Sequence, residues 1–248
     1  MVANNHKEPH NNRSNKMNEF APNVWIADGP VVDFYGLPYP TRMVIIRLNS
    51  GCSWVWSPVQ INDALAAEVE AKAGPVKYIV SPNKIHHIFL KQWSEKYPDA
   101  KVYAPPGLEE RKEAEGIRFD ATFGQGETDL PFHDEIDSVI IQGSYAMEEV
   151  EFFHKASKTA IICDIIQRHP EEDWTGFKGM LMRLNGLVGD KGSCPREWRF
   201  TFWPFGKEKA RKGRDIILSW RAEKMIVAHG TCVEEGAAAV IERALSWI

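Results

Sequence analysis

The sequence predicts an α+β fold in which two mixed β-sheets pack together and helices cover their outer faces. Two observations carry this reading. Each half of the chain is β-rich first and then passes to a strand followed by a helix. The strands opening the second half follow one another through short turns, which makes an antiparallel meander and not a βαβ repeat. No internal repeat is visible along the 248 residues.

Taken in order, Val24–Ala27 is a short strand turned by Asp28-Gly29-Pro30. Met43–Leu48 and Ser53–Trp56 flank Asn49-Ser50-Gly51, which reads as a hairpin turn. Asn62 is placed to cap a helix through Ala73, and Gly74 to stop it. Pro75–Val80 is a buried strand, followed by a helix to about Lys96 with apolar positions at 85, 89, 90 and 93. Lys101–Ala104 is a strand and Leu108–Gly116 a charged, exposed helix. The meander comprises Ser138–Gln142, Glu149–Phe153 and Thr159–Cys163. A less regular stretch, Gln167–Phe205, leads to a helix at Arg211–Trp220, a strand at Lys224–Ala228 and an amphipathic closing helix at Val233–Ile248. Within the irregular stretch Trp198, Phe200, Phe202, Trp203 and Phe205 alternate with polar residues, as in a half-buried strand or a lid over an apolar pocket.

Hydrophobic and charged contents of 44% and 26% are those of a soluble globular domain, and the length suits one such domain. A net charge of −4 argues against a nucleic-acid or anionic-membrane partner. The longest apolar run, near Thr159–Ile166, is far short of a bilayer span and is broken by Asp164. Residues 1–20 form a polar tail expected to be disordered, without the apolar core of a signal peptide, and His6 and His10 are assigned to it. Cys52, Cys163, Cys194 and Cys232 are scattered with no CxxC pair, which fits reduced thiols and a cytoplasmic protein.

Three strand ends carry the chemistry. His86-His87 follow the strand Pro75–Val80, Asp164 closes Ala160–Cys163, and His229-Gly230 closes Met225–Ala228. Neutral imidazole is a common ligand for borderline metals, and strand ends are where α/β proteins place their sites. A carboxylate ending an apolar strand needs a partner or a metal. Plainer readings stand beside these: a histidine pair at a helix start, a turn aspartate, and a histidine before a tight glycine turn. Gly36–Thr41 is a rim loop or a rigid turn. Glu148 and Glu149 are expected in solvent, with one of them able to reach the site; His133 and His169 are expected in solvent, and Arg42 and Arg47 in ion pairs.

In this order the three strand ends resemble the metallo-β-lactamase superfamily, from about Asn23 to Ile248. The chain is more closely similar to an uncharacterised subgroup, through Gly36–Met43, Ser81-Pro82-Asn83 with His86-His87, Ala104–Gly107, Glu151–Lys155 and Ala228-His229-Gly230. The resemblance implies a four-layer αββα sandwich over residues 21–248. The superfamily's His-x-His-x-Asp-His signature falls on Pro82-Asn83-Lys84-Ile85-His86-His87. Both histidines of the first metal are thereby replaced by Pro82 and Lys84, and no third histidine stands near Gly143-Ser144. His87, Asp164 and His229 match ligands of the second metal, with His86 in place of a carboxylate. The resemblance therefore implies one residual metal ion on His86, His87, Asp164 and His229, with zinc expected and iron or manganese as alternatives. The Lys84 ammonium would stand in the space of the missing cation.

The function so implied is hydrolysis of an ester, amide or phosphoester by an activated water. His86, if not a ligand, or His154 would then be the catalytic base. The competing reading is a non-catalytic member that binds a small molecule or a protein. An iron oxidoreductase needs a fuller carboxylate set. A Rossmann protein and a serine hydrolase are disfavoured, since neither a Gly-x-Gly-x-x-Gly loop nor a Gly-x-Ser-x-Gly elbow is present. A small-molecule partner is expected, and neither nucleic acid nor membrane.

Overall fold

The computed structural model describes residues 16–34, 36–125 and 130–248. Residues 1–15, including His6 and His10, lie outside the described residues. Among those described, seven strands form one sheet in sequence order: β1 (Asn18–Ala21), β2 (Val24–Phe34), β3 (Leu37–Arg47), β4 (Ser53–Trp56), β5 (Val76–Val80), β6 (Lys101–Ala104) and β7 (Ala121–Thr122). Pairing is antiparallel from β1 to β4 and parallel from β4 to β7. Helices α1 (Asp63–Ala73) and α2 (Leu90–Lys96) lie in the connections between the parallel strands. The second sheet contains β8 (Ile136–Ile141), β9 (Glu149–His154), β10 (Thr159–Ile162) and β11 (Lys224–Val227) in the order β11-β10-β9-β8. Here the expected meander is antiparallel and β11 joins β10 in parallel. Helices α3 (Gly176–Leu184), α4 (Arg196–Phe200), α5 (Gly206–Ser219) and α6 (Ala237–Ala244) complete the described chain.

Strand alternation sorts the core into layers, because successive side chains point to opposite faces. Met43 and Ile45 of β3 pack with Leu65, Val69 and Trp93 of α1 and α2, whereas Val44 and Ile46 face the other way. There they meet Phe152 of β9, Ile161 of β10 and Ile226 of β11. Ala160, Ile162, Met225 and Val227 face outward again, onto Ala210 and Ile217 of α5 and Ile241 of α6. Helix, sheet, sheet, helix: the predicted sandwich is the observed one.

Local expectations fared unevenly. The α1 cap is as read, with Asn62 Oδ1 accepting from Leu65 N at 2.8 Å and Gly74 ending the helix at φ 86°. Strand β1 falls inside the stretch assigned to the tail, and Met17 before it is buried, so ordered structure starts before residue 21. Leu108–Gly116 is a chain of turns with one 3-10 turn at Lys112–Ala114, because Leu108 and Ala114 must both reach the α1/α2 layer. The closing helix is confined to Ala237–Ala244. The aromatic stretch is helical at its start and not a strand: Trp198 and Phe202, four apart, are buried, while Phe200, Trp203 and Phe205 are exposed.

Candidate metal centre

The parallel strands decide where the site lies. β4, β5, β10 and β11 all end at one edge of the sandwich, and the first residues of β3 and β9 reach the same edge. Ser57, His86, Asp164 and His229 emerge there together with Tyr39 and Thr41, lining a cavity of about 370 Å³.

Three of the predicted ligands converge. Nε2 of His86 lies 3.3 Å from Asp164 Oδ2, and Nε2 of His229 lies 3.2 Å from Asp164 Oδ1. The two imidazole nitrogens are 3.3 Å apart. Each ring is oriented through its other nitrogen. His229 Nδ1 donates to the Pro40 carbonyl at 2.8 Å, which leaves a lone pair on Nε2 facing the centre in the neutral ring. His86 Nδ1 meets the Ser57 hydroxyl at 2.9 Å. Ser57 holds a left-handed backbone conformation (φ 48°) at the end of β4, a strained arrangement of the kind that recurs at functional sites.

The aspartate is braced from behind. Asn83 Nδ2 donates to Asp164 Oδ2 at 2.8 Å and to Glu149 Oε2 at 2.5 Å, while Asn83 Oδ1 accepts from the Ile85 and His86 amides. One side chain thus shapes the turn that carries His86 and ties it to Asp164. Gln167 Nε2 donates to Asp164 Oδ1 at 3.2 Å. Glu149 accepts from the Asp164 and Ile165 amides at 3.0 and 2.9 Å. His229 is held by β3: buried Arg42, ion-paired to Asp28 as expected, donates to the carbonyls of Val227 and Gly230 at 2.8 Å each. Gly230 (φ 104°) passes so close to Arg168 that a Cβ would stand 2.0 Å from its carbonyl oxygen, so no other residue fits after His229.

Electrostatics follow from this packing. Burial alone would raise the Asp164 carboxyl, but the charges and hydrogen bonds of His86 and His229 outweigh it and hold it well below the usual carboxylate range. For His86, burial favours the neutral ring, and the adjacent Asp164 more than compensates, leaving the imidazole above its ordinary value. Burial raises Glu149 and, with the neighbouring Glu149 charge added, raises Glu151 much further.

Other predicted residues are placed elsewhere. His87 donates Nδ1 to the Lys84 carbonyl at 3.0 Å and sits beside Arg111 and Glu113, outside the cluster; of the pair, only His86 faces Asp164 and His229. His154 pairs with Thr159 at the far end of β9 from Asp164, and its ring meets Ser157 Oγ at 2.7 Å. It belongs to a turn at the opposite edge and does not reach the cavity. Lys84 lines the cavity but, among the described residues, makes no ion pair with Asp164. Of Glu148 and Glu149, it is Glu149 that reaches the site, buried behind Asp164, and His169, expected in solvent, is buried as well. His169 Nε2 lies 3.1 Å from Gln167 Oε1, and burial drives its pKa down to about 3. Sequence reading also passed over Tyr39, whose ring packs edge-on to His229 with centroids 5.0 Å apart, although it had marked Gly36–Thr41 as a possible rim. Leu37–Thr41 open β3, and Tyr39 and Thr41 line the cavity beside His229.

Metallo-β-lactamases are among the solved structures with the same architecture. The DIM-1 enzyme superposes with a TM-score of 0.60 at 12% identity, covering 94% of this chain and 95% of that one. A metallo-β-lactamase from Hirschia baltica gives 0.59 at 14% identity over 94% and 96%. FIM-1 from Pseudomonas aeruginosa, in its mono-zinc form, gives 0.59 at 10% identity over 94% and 93%. At such identities the likeness is one of fold. No functionally curated protein matches the sequence. The family model described as "Domain of unknown function (DUF4336)" matches residues 23–175, more than half of the chain. The chain therefore belongs to the DUF4336 family, built on a metallo-β-lactamase fold with a possible metal-binding cluster at His86, Asp164 and His229.

Proposed function

We propose that this protein is a metal-dependent hydrolase with a single ion, zinc in the first place, held by His86, Asp164 and His229. The observation that carries the reading is the spacing of the donor atoms. Three ligands of a tetrahedral ion with bonds of about 2.1 Å stand roughly 3.4 Å apart, and here the spacings are 3.2 to 3.3 Å. Two imidazoles and one carboxylate suit zinc, and also ferrous iron or manganese. A divalent ion in this place supplies Lewis acidity and a water acidic enough to ionise near neutral pH.

The chain's own residues do the rest. Asn83 and Gln167 fix the carboxylate, and Ser57 and Pro40 fix the two rings. Val32, Pro58, Ile85, Phe89 and Met147 make most of the cavity wall apolar, which favours a substrate with a hydrophobic body and excludes bulk water around it. Lys84 and Glu197 are charged groups on that wall and would orient polar ends of the substrate. The substrate class that fits is an ester, amide or phosphoester of a small, largely apolar molecule.

One observation favours a non-catalytic binding module instead. His86, His229 and Asp164 satisfy one another's hydrogen bonds, so the cluster is electrostatically closed without an ion. Metal analysis separates the two. Protein purified without a histidine tag and equilibrated with Zn²⁺, Mn²⁺ or anaerobic Fe²⁺ should hold close to one equivalent, lost in His86→Ala. It should then cleave chromogenic esters or phosphoesters, and a chelator should stop it. Absence of binding to all three ions would sink the hydrolase reading and leave the binding module.

A further inference from the structure

We propose that residues 176–212 form a docking face for an anionic lipid surface, beside the mouth of the cavity. Exposed large apolar side chains are concentrated here. Phe177, Met180, Leu181 and Leu184 lie at i, i+3, i+4 and i+7 on α3, one stripe 44 to 69% exposed. Phe200, Trp203 and Phe205 follow at 73 to 87% exposed. A monomeric soluble protein rarely shows so many together without a use for them.

These elements are joined side by side. Asn185, ending α3, accepts from the Arg196 amide that starts α4, and the Tyr145 amide donates to Thr201 just after α4. Gly143 and Gly206 are in backbone contact close enough that a Cβ on Gly206 would stand 1.9 Å from the Gly143 carbonyl. Pro195, Trp198 and Thr201 of the same stretch line the cavity, as does exposed Ile88.

Charge identifies the occupant. Between 176 and 212 the chain carries nine Lys and Arg against three Asp and Glu, a formal +6, which exposed Glu171, Glu172 and Asp173 just before α3 reduce to +3, whereas the whole protein carries −4. The overall charge that argued against an anionic membrane hides this segregation. A second copy is a poor partner, since a two-fold interface would set one net basic face against another. An anionic bilayer answers both features, with apolar side chains entering the headgroup boundary and basic ones pairing with phosphates. No helix is long and apolar enough to cross a membrane, so the contact is with the surface.

Flotation with vesicles tests this without metal or turnover, so its failure leaves the hydrolase reading standing. The full chain should float with equimolar phosphatidylcholine and phosphatidylglycerol at low salt, far less at 0.5 M salt, and not with phosphatidylcholine alone. The double variant Phe177→Ser/Leu181→Ser should lose vesicle binding at an unchanged thermal midpoint. Lys209→Glu/Lys212→Glu, at two exposed positions of α5, should weaken it at least about twentyfold, from roughly fivefold per basic residue. No binding of the wild type to the anionic vesicles overturns the proposal. So does a dimer in sedimentation that Phe177→Ser/Leu181→Ser dissolves while vesicle binding is absent.

Discussion

Two groups of buried acids lie side by side behind the cavity, and they are treated oppositely. Asp164 faces two imidazoles and two amide donors and is held ionised. Glu149 and Glu151, two residues apart on the outward face of β9, have only backbone amides, Asn83 and each other, and both are pushed upward. A buried charge persists where opposite charge compensates its lost hydration; otherwise the group keeps its proton. The difference sets Asp164 apart as the acid that faces the cavity, while the glutamates organise the Cys163–Ile165 backbone that presents it.

The largest break in this contrast is Asp164→Ala. It removes the charged ligand and leaves two facing imidazoles with nothing between them. Calorimetric titration with Zn²⁺ should show affinity lower by more than about 100-fold, beyond the 10- to 100-fold typical of outer-shell changes. Next comes Asn83→Ala, which strips a donor from both acids and the acceptor from the His86 turn. Losing a hydrogen bond to the ionised Asp164 costs about 2 kcal/mol, readable as a lowered urea midpoint, and metal affinity should fall with it. An unchanged midpoint would show that Asn83 does not couple the two groups.

Glu151→Gln sharpens the contrast through pH. The folded state raises the Glu151 carboxyl above its unfolded value and so binds more protons than the unfolded chain. That contribution to stability is fully present below the unfolded pKa and is lost as pH rises through the folded one. Glutamine mimics the protonated acid, so the variant should match wild type in acid and become relatively more stable toward alkaline pH. Parallel denaturation curves at pH 6 and 9 check this, and a gap that shrinks with pH would contradict the assignment. The smallest effects belong to the histidines outside the cluster. His87→Ala and His154→Ala should each leave Zn²⁺ affinity within about twofold, because neither ring faces Asp164. A tenfold loss for His87→Ala would restore it as a ligand.

Much of the fold was legible because alternation and breaker residues act locally. Asn62 and Gly74 bracket α1, and the turns between β8, β9 and β10 are short, so both were readable in place. Leu108–Gly116 and Trp198–Phe205 were not. Their structure is set by where Ala114, Trp198 and Phe202 must be buried against distant elements. Of the site, Asp164 and His229 were readable because each ends an apolar strand, and a polar residue in that position has few other uses.

By itself the sequence determined the layer order and which strand ends carry polar groups, since both follow from periodicity along short stretches. Only the tertiary structure decided which of two adjacent histidines is turned inward. That depends on the Asn83 side chain reaching forward to the His86 amide and across to Asp164, contacts spanning 3 and 81 residues. It also decided that Glu149 is a buried brace and His154 a distant turn residue. Convergence of side chains from separate strands is a property of packing, and no local pattern encodes it.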